Sequence, residues 1–172
     1  GWVVFKGGVN LDGILKTTDG GSSWSIQTSG TVNPIRDVDF IDSNNGWAVA
    51  SSGTGKIINT TNGGSTWSRQ LDVPNKGLWG VDFIDSNTGV VVGDGGTILS
   101  TTDGGLNWTD NSITTENDFK SVYIIDSQRG WAVGDNGMIY KLSDTTAPTV
   151  TSVSSSNDNG TYKVGDVISI SV

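Results

Sequence analysis

The groups able to do chemistry in this chain are almost all carboxylates. Asp and Glu together number 18, every one an aspartate except Glu116, while the guanidinium groups are confined to Arg36, Arg69 and Arg129 and there is no cysteine and no histidine. The missing side chains remove thiolate and imidazole metal sites, cysteine nucleophiles and a Ser-His-Asp triad. Carboxylates can still act as general acid and base across a glycosidic bond, which takes two of them roughly 5–9.5 Å apart. However, Asp42, Asp85 and Asp126 recur with one repeated hexapeptide, and Asp19 and Asp103 with a repeated turn, so they are expected to serve the scaffold. Gly53-Thr54-Gly55-Lys56-Ile57 looks superficially like a phosphate loop. It lacks the first glycine at the right distance, the hydroxyl after the lysine and the following helix, and it reads as a hairpin turn.

More informative are positions that break the repeat while keeping its register. Arg36-Asp37, Trp79-Gly80 and Lys120-Ser121 each stand just before the shared valine of a repeated segment, which places Arg36, Trp79 and Lys120 at equivalent points. Two cations and an indole so placed form a candidate site for an acidic or sugar-like ligand, through charge and aromatic stacking. The plainer alternative is that they are ordinary residues lining the mouth of a channel.

The elements that must carry these groups follow from three markers in one order. Thr17-Thr18-Asp19-Gly20-Gly21-Ser22-Ser23-Trp24 returns as Thr60-Thr61-Asn62-Gly63-Gly64-Ser65-Thr66-Trp67 and as Thr101-Thr102-Asp103-Gly104-Gly105-Leu106-Asn107-Trp108. Val38-Asp39-Phe40-Ile41-Asp42-Ser43 returns from Val81 and, as Val122-Tyr123-Ile124-Ile125-Asp126-Ser127, from Val122. Gly46-Trp47-Ala48-Val49 returns at Gly89 and Gly130, and Gly1-Trp2-Val3-Val4 is the same marker one repeat earlier. A period in the low forties with four short strands per unit is that of a β-propeller blade. Asn-Gly and Asp-Gly pairs between the strands, such as Asp94-Gly95 and Asn136-Gly137, suit two-residue hairpins. The fold class is therefore all-β: blades of four antiparallel strands, about three and a half of them here, beginning with strands B, C and D of one blade and ending with A, B and C of another.

Thr/Ser-x-Asp-x-Gly-x-x-Trp resembles the Asp-box, or bacterial neuraminidase repeat. Its combination with Gly-Trp-Ala-Val looks most like the propellers of photosystem II assembly and stability factors. The repeat residues are Asp19, Gly21 and Trp24, then Asn62, Gly64 and Trp67, then Asp103, Gly105 and Trp108. Their chemistry points to structure: the Asp or Asn accepts backbone N–H groups of its own turn, the glycines accept positive φ, and the Trp covers the hairpin. The resemblance also brings in sialidases and propeller endoglucanases. A sialidase site would need an arginine cluster, a Tyr nucleophile and a Glu partner, and the arginines here stand at different repeat positions.

The propeller repeats cover residues 1–144. Residues 145–150 read as a linker and residues 151–172, with alternation from Val164 to Val172, as the incomplete start of an immunoglobulin-like or cadherin-like β-sandwich. The net charge of −8 disfavours nucleic acid and anionic membranes, and no membrane-spanning segment is seen. The expected function is a non-catalytic binding, adhesion or assembly-scaffold module of a secreted or cell-surface multidomain bacterial protein. The expected partners are a protein or a glycan (carbohydrate) ligand and, through open blade edges, another copy of the chain. No cofactor, metal or enzymatic activity is expected. The alternatives are a fragment of a glycan-processing propeller enzyme and a photosystem II assembly factor-like protein.

Overall fold

The computed structural model describes residues 1–5, 13–127 and 129–142. Blade 1 holds β1 (Trp2–Phe5), β2 (Gly13–Lys16) and β3 (Ser25–Gln27). Blade 2 holds β4 (Ile35–Phe40), β5 (Gly46–Ala50), β6 (Thr54–Thr60) and β7 (Ser68–Pro74). Blade 3 holds β8 (Leu78–Phe83), β9 (Gly89–Gly93), β10 (Ile98–Thr101) and β11 (Thr109–Asp110). Blade 4 holds β12 (Phe119–Asp126), β13 (Arg129–Gly134) and β14 (Ile139–Leu142). Each sheet is an antiparallel meander in chain order, and no α-helix occurs among the described residues. The division into B-C-D, two complete blades and A-B-C is the one the repeats predict. The linker, the immunoglobulin-like start and residues 143–144 lie outside the described residues.

Strand D begins one residue after the Asp-box Trp, at Ser25, Ser68 and Thr109. One turn differs from the sequence expectation. The third B–C turn is centred on Gly95-Gly96 rather than Asp94-Gly95. Both residues have positive φ (55° and 77°), as do Asn136 and Gly137 (56° and 73°) in the fourth. Positive φ at both central residues is what a tight hairpin between right-twisted strands requires.

The core lies between blades rather than within one. Ile41, Trp47, Val49 and Ile57 of blade 2 pack against Leu78, Val81, Phe83 and Val91 of blade 3. Similar clusters join blades 1 and 2 and blades 3 and 4. Every blade thus has a leading face, turned to the next blade, and a trailing face, turned to the previous one. Burying such faces at roughly 25 cal/mol per Å² is the main favourable term holding the arc together.

The three sequence markers meet at these joints. The Trp2 ring of blade 1 stacks on Phe40 of blade 2 at 3.7 Å and 6°, and Trp47 of blade 2 stacks on Phe83 of blade 3 at 3.7 Å and 7°. The Asp-box Trp67 and Trp108 approach the same phenylalanines edge-on, at 5.8 and 6.1 Å. The invariable glycine of the Gly-Trp marker makes room: a Cβ on Gly46 would lie 2.6 Å from the Phe40 ring, and one on Gly89 2.5 Å from Phe83. At the third joint a smaller pair, Val90 and Ile124, takes the place of Trp and Phe.

Candidate functional site

Because the strands are antiparallel, strand A starts, and strand B ends, on one face of the arc, and the Asp-boxes between C and D lie on the other. The two faces do different work.

On the Asp-box face, every turn is organised by its threonine as much as by its acid. The Thr60 hydroxyl, buried beneath the turn, accepts N–H of Asn62 and Gly64 and donates to Asn62 Oδ1. Thr17 and Thr101 do the same for Asp19 with Gly21 and for Asp103 with Gly105. The Asp19, Asn62 or Asp103 side chain then accepts the N–H four residues on, from Ser23, Thr66 or Asn107 respectively, at 2.9 Å. Hydrogen bonds from the Ser23 hydroxyl and N–H and the Thr17 hydroxyl hold Asp19 far below the usual carboxylate range, and those from Asn107 lower Asp103. Trp24 Nε1 donates to Gly21 O at 3.1 Å, but Trp67 and Trp108 bury theirs without a partner, so the indole N–H is not a uniform part of the motif. The turn also reaches its neighbours, a role the sequence reading missed. Gly104 O accepts Trp47 Nε1 at 3.1 Å and Gln70 Nε2 at 2.7 Å from blade 2, and Gly63 O accepts Lys16 Nζ of blade 1 at 2.7 Å.

Along the inner strands a second set of aspartates clasps successive blades. Val81 N donates to Asp37 Oδ2 at 3.0 Å, Phe83 N to Asp39 Oδ2 at 2.8 Å, and Ile124 N to Asp82 Oδ2. Burial raises the pKa of all three, and mutual repulsion adds to it at Asp37 and Asp82. The signal for this in the sequence is a charged residue within an otherwise apolar strand.

On the opposite face, the structure brings Arg36, Trp79 and Lys120 together. Each is the extra residue of a β-bulge: Ile35 and Asp37 pair with Ala50 and Val49, Leu78 and Gly80 with Gly93 and Val92, and Phe119 and Ser121 with Gly134 and Val133. A bulge re-aims its side chain out of the ladder's alternation. Three bulges in register therefore set three side chains side by side. The Arg36 guanidinium carbon lies 5.0 Å, and Lys120 Nζ 4.4 Å, from the Trp79 ring centroid, both within cation–π range. The B–C turns frame them. Asp94 accepts Trp79 Nε1 and Gly77 N, and Lys120 Nζ lies 2.8 Å from Asp118 and 3.4 Å from Asp135. Burial works against the Lys120 charge, but these two carboxylates outweigh it and raise its pKa; Lys120 in turn lowers that of Asp118. Arg36 is different. Among the described residues it makes no ion pair, and its Nε is buried with no hydrogen-bond partner. With a cation from each neighbouring blade on its ring, Trp79 offers a sugar less free face than the sequence alone implies. A separate cleft of about 250 Å³ between blades 1 and 2 contains Lys56, Trp67 and Arg69, but both its cations are held by Asp72.

Repeated blades, three Asp-box turns and inter-blade clasps define the class: this is an arc of an Asp-box β-propeller. Within that class it is close to the photosystem II assembly factor type. Residues 70–150 match the family model described as Photosynthesis system II assembly factor YCF48. A solved structure described as "YCF48 bound to D1 peptide" is similar, with a TM-score of 0.57 and 27% identity over 65% of this chain and 37% of that one. YCF48 from Cyanidioschyzon merolae matches with a TM-score of 0.61 and 21% identity over 81% of this chain and 46% of that one. A GH74 enzyme of Niastella koreensis shares the fold, with a TM-score of 0.57 and 18% identity over 77% of this chain and 25% of that one. The chain thus spans less than half the length of each. No curated protein sequence matches it.

Proposed function

We propose that this arc is a non-catalytic protein-binding scaffold, and that its bulge face receives a carboxylate-bearing peptide segment of the partner. The observation that carries this is Arg36: a guanidinium positioned by cation–π contact with Trp79, with no carboxylate partner among the described residues and a buried Nε lacking an acceptor. An unsatisfied charged donor of this kind is costly unless something supplies the acceptor, and a carboxylate does so with paired, charge-assisted bonds. A protein partner is supported by the similar propeller that is described as bound to a peptide. A non-catalytic role is supported by the described aspartates that are committed to turns and clasps. For the setting we infer a secreted or cell-surface protein, on the sequence reading of residues 151–172 alone.

The test is anisotropy titration with a fluorescein-labelled peptide of alternating Asp and Ala, beside its Asn-and-Ala counterpart. The Asp peptide is expected to bind, with Arg36→Ala weakening it at least about tenfold, the scale of a charge-assisted hydrogen bond. Lys120→Ala, already matched by Asp118 and Asp135, is expected to change it less. Equal binding of both peptides, or no loss in Arg36→Ala, would sink the reading.

A further inference from the structure

The joint between blades 1 and 2 departs from the repeat on both of its walls. After Trp67, the connector leaving strand D carries Leu71 and Val73, which pack into the core between blades 2 and 3. After Trp108 it carries Ile113, which packs into the core between blades 3 and 4. After Trp24 the same stretch is Thr28-Ser29-Gly30, with no apolar side chain to fill the joint. Gly30 turns there with a φ of 71°, and β3 stops at Gln27 where β7 runs on to Pro74. The space left is the cleft of about 250 Å³ between this connector and the outer strands of blade 2.

The wall on blade 2 is changed as well. Lys56 and Arg69 line it, where the equivalent residues of blade 3 are Thr97 and Asp110; the pair Ile58 and Arg69 corresponds to Leu99 and Asp110. Both cations meet Asp72 through one oxygen, Oδ1, at 3.1 Å from Lys56 Nζ and 3.2 Å from Arg69 Nε. One carboxylate against two cations leaves a positive charge in excess. The Arg69 side chain is 67% exposed, so guanidinium surface remains for a ligand. Trp67, Ile58 and Val32 give the cleft an apolar lining, and Trp67 Nε1 is buried without a partner among the described residues. Ser29 and Thr31 add hydroxyls. Ser29 Oγ donates to Thr31 O at 3.4 Å, and Thr31 Oγ1 accepts Asn33 N at 3.1 Å. Ser29 thus keeps its acceptor lone pairs and Thr31 its donor.

We propose that this cleft binds a uronic acid unit. The pyranose ring has an apolar face for Trp67 and Ile58, hydroxyls for Ser29 and Thr31, and a carboxylate for Arg69 and Lys56, which bind it with charge-assisted hydrogen bonds. An apolar lining with a few polar groups placed to fix orientation is the usual make-up of a small-molecule site, and the volume is on the scale of one sugar ring. A neutral sugar leaves the excess positive charge unanswered, and inorganic phosphate leaves the apolar lining uncovered. None of Arg36, Trp79 and Lys120 lines this cleft, and the inference does not rest on the peptide-binding reading.

The test is a nuclear magnetic resonance titration of the full 172-residue chain, labelled with nitrogen-15 in its tryptophans, with sodium glucuronate, glucose or sodium phosphate at matched ionic strength. The Trp67 indole signal is assigned with Trp67→Phe. Glucuronate is expected to move it saturably, and glucose and phosphate to leave it in place. Arg69→Met is expected to weaken glucuronate at least about fivefold, the scale of one hydrogen bond. Asp72→Asn removes the competing carboxylate and is expected to tighten glucuronate severalfold. These opposite signs separate a binding role from a structural one, and far-UV circular dichroism checks the fold of each variant. No movement of the Trp67 signal with glucuronate overturns the proposal. So does an equal response to glucose or to phosphate. Weaker binding in Asp72→Asn than in the wild type overturns it as well, since the carboxylate would then be supporting the site and not competing in it.

Discussion

At the scale of the residue, the Asp-box is a threonine-centred turn. Thr60 is almost wholly buried and satisfies two backbone N–H groups that nothing else reaches. Thr60→Val keeps the shape and removes the acceptor, so a loss of about 1–3 kcal/mol is expected, read by urea unfolding. Asn62→Asp, by contrast, restores the residue found at Asp19 and Asp103 with the acceptor geometry unchanged, and is expected to be nearly neutral. Gly46 is governed by close approach, since its Cβ would meet the Phe40 ring. Gly46→Ala is expected to cost about 1–3 kcal/mol through overpacking, with a red-shifted Trp fluorescence if the Trp2–Phe40 stack opens. The same substitution at Gly137, which has positive φ but open space around it, carries only the backbone cost of roughly 1–2 kcal/mol.

At the scale of the element, the joint between blades is the unit of stability. Trp47 and Phe83 belong to different sheets and bury their stacked faces together. Alanine at either is expected to cost about 3–5 kcal/mol, and a double-mutant cycle to show a coupling of about 0.5–1.5 kcal/mol. The clasping aspartates give the joints a pH signature. Asp37, Asp39 and Asp82 have folded pKa values above their unfolded ones, so the folded state holds the proton more tightly. Their effect therefore favours the fold below the unfolded value, about 3.9, and is lost as pH rises through the raised one. Asp19, Asp42, Asp85 and Asp103 are shifted the other way by turn hydrogen bonds. Their contribution is present above the unfolded value and lost as pH falls through the lowered one. Thermal stability is thus expected to rise as pH falls from neutrality toward the unfolded carboxylate range, then drop on further acidification. Asp39→Asn keeps an acceptor for Phe83 N–H and removes the buried charge. It is expected to flatten the rise without lowering stability at neutral pH. A steeper rise in that variant would mean that the clasp carboxylates are not its source.

At the scale of the whole molecule, each blade touches only its neighbours, so stability is a sum of blade and joint terms. Among the described residues, blades 2 and 3 have two joints and blades 1 and 4 one. In native-state hydrogen exchange the amides of Val49, Val91 and Val92, in the buried B strands, are expected to be the slowest. Those of β3 and β14, at the edges of their three-stranded sheets, are expected to exchange first. Trp47→Ala, which weakens the central joint, is expected to split a single unfolding transition into two, seen as non-coincident circular dichroism and Trp fluorescence curves.

The repeat unit, the strand order within it and the Asp-box turns were legible in the sequence because each depends on local information. Alternation marks strands, Asn-Gly and Asp-Gly mark hairpins, and a repeat announces itself by self-similarity. That Phe40, Gly46 and Trp67 recur in step was equally visible. Why they do so was not, since Trp2 of one blade completes the cluster on Phe40 of the next across 38 residues of chain. The clasps are of the same kind, with Asp39 and Phe83 N–H 44 residues apart. The equivalence of Arg36, Trp79 and Lys120 could be read by alignment. A β-bulge, however, leaves no mark in side-chain type, and it is the bulge that turns them out of the ladder toward one another. The sequence by itself determined the blade, because its strands and turns are short-range decisions. Only the tertiary structure decided the joints and the site, because both are made by side chains of different blades that come within reach once the arc has closed around its inner strands.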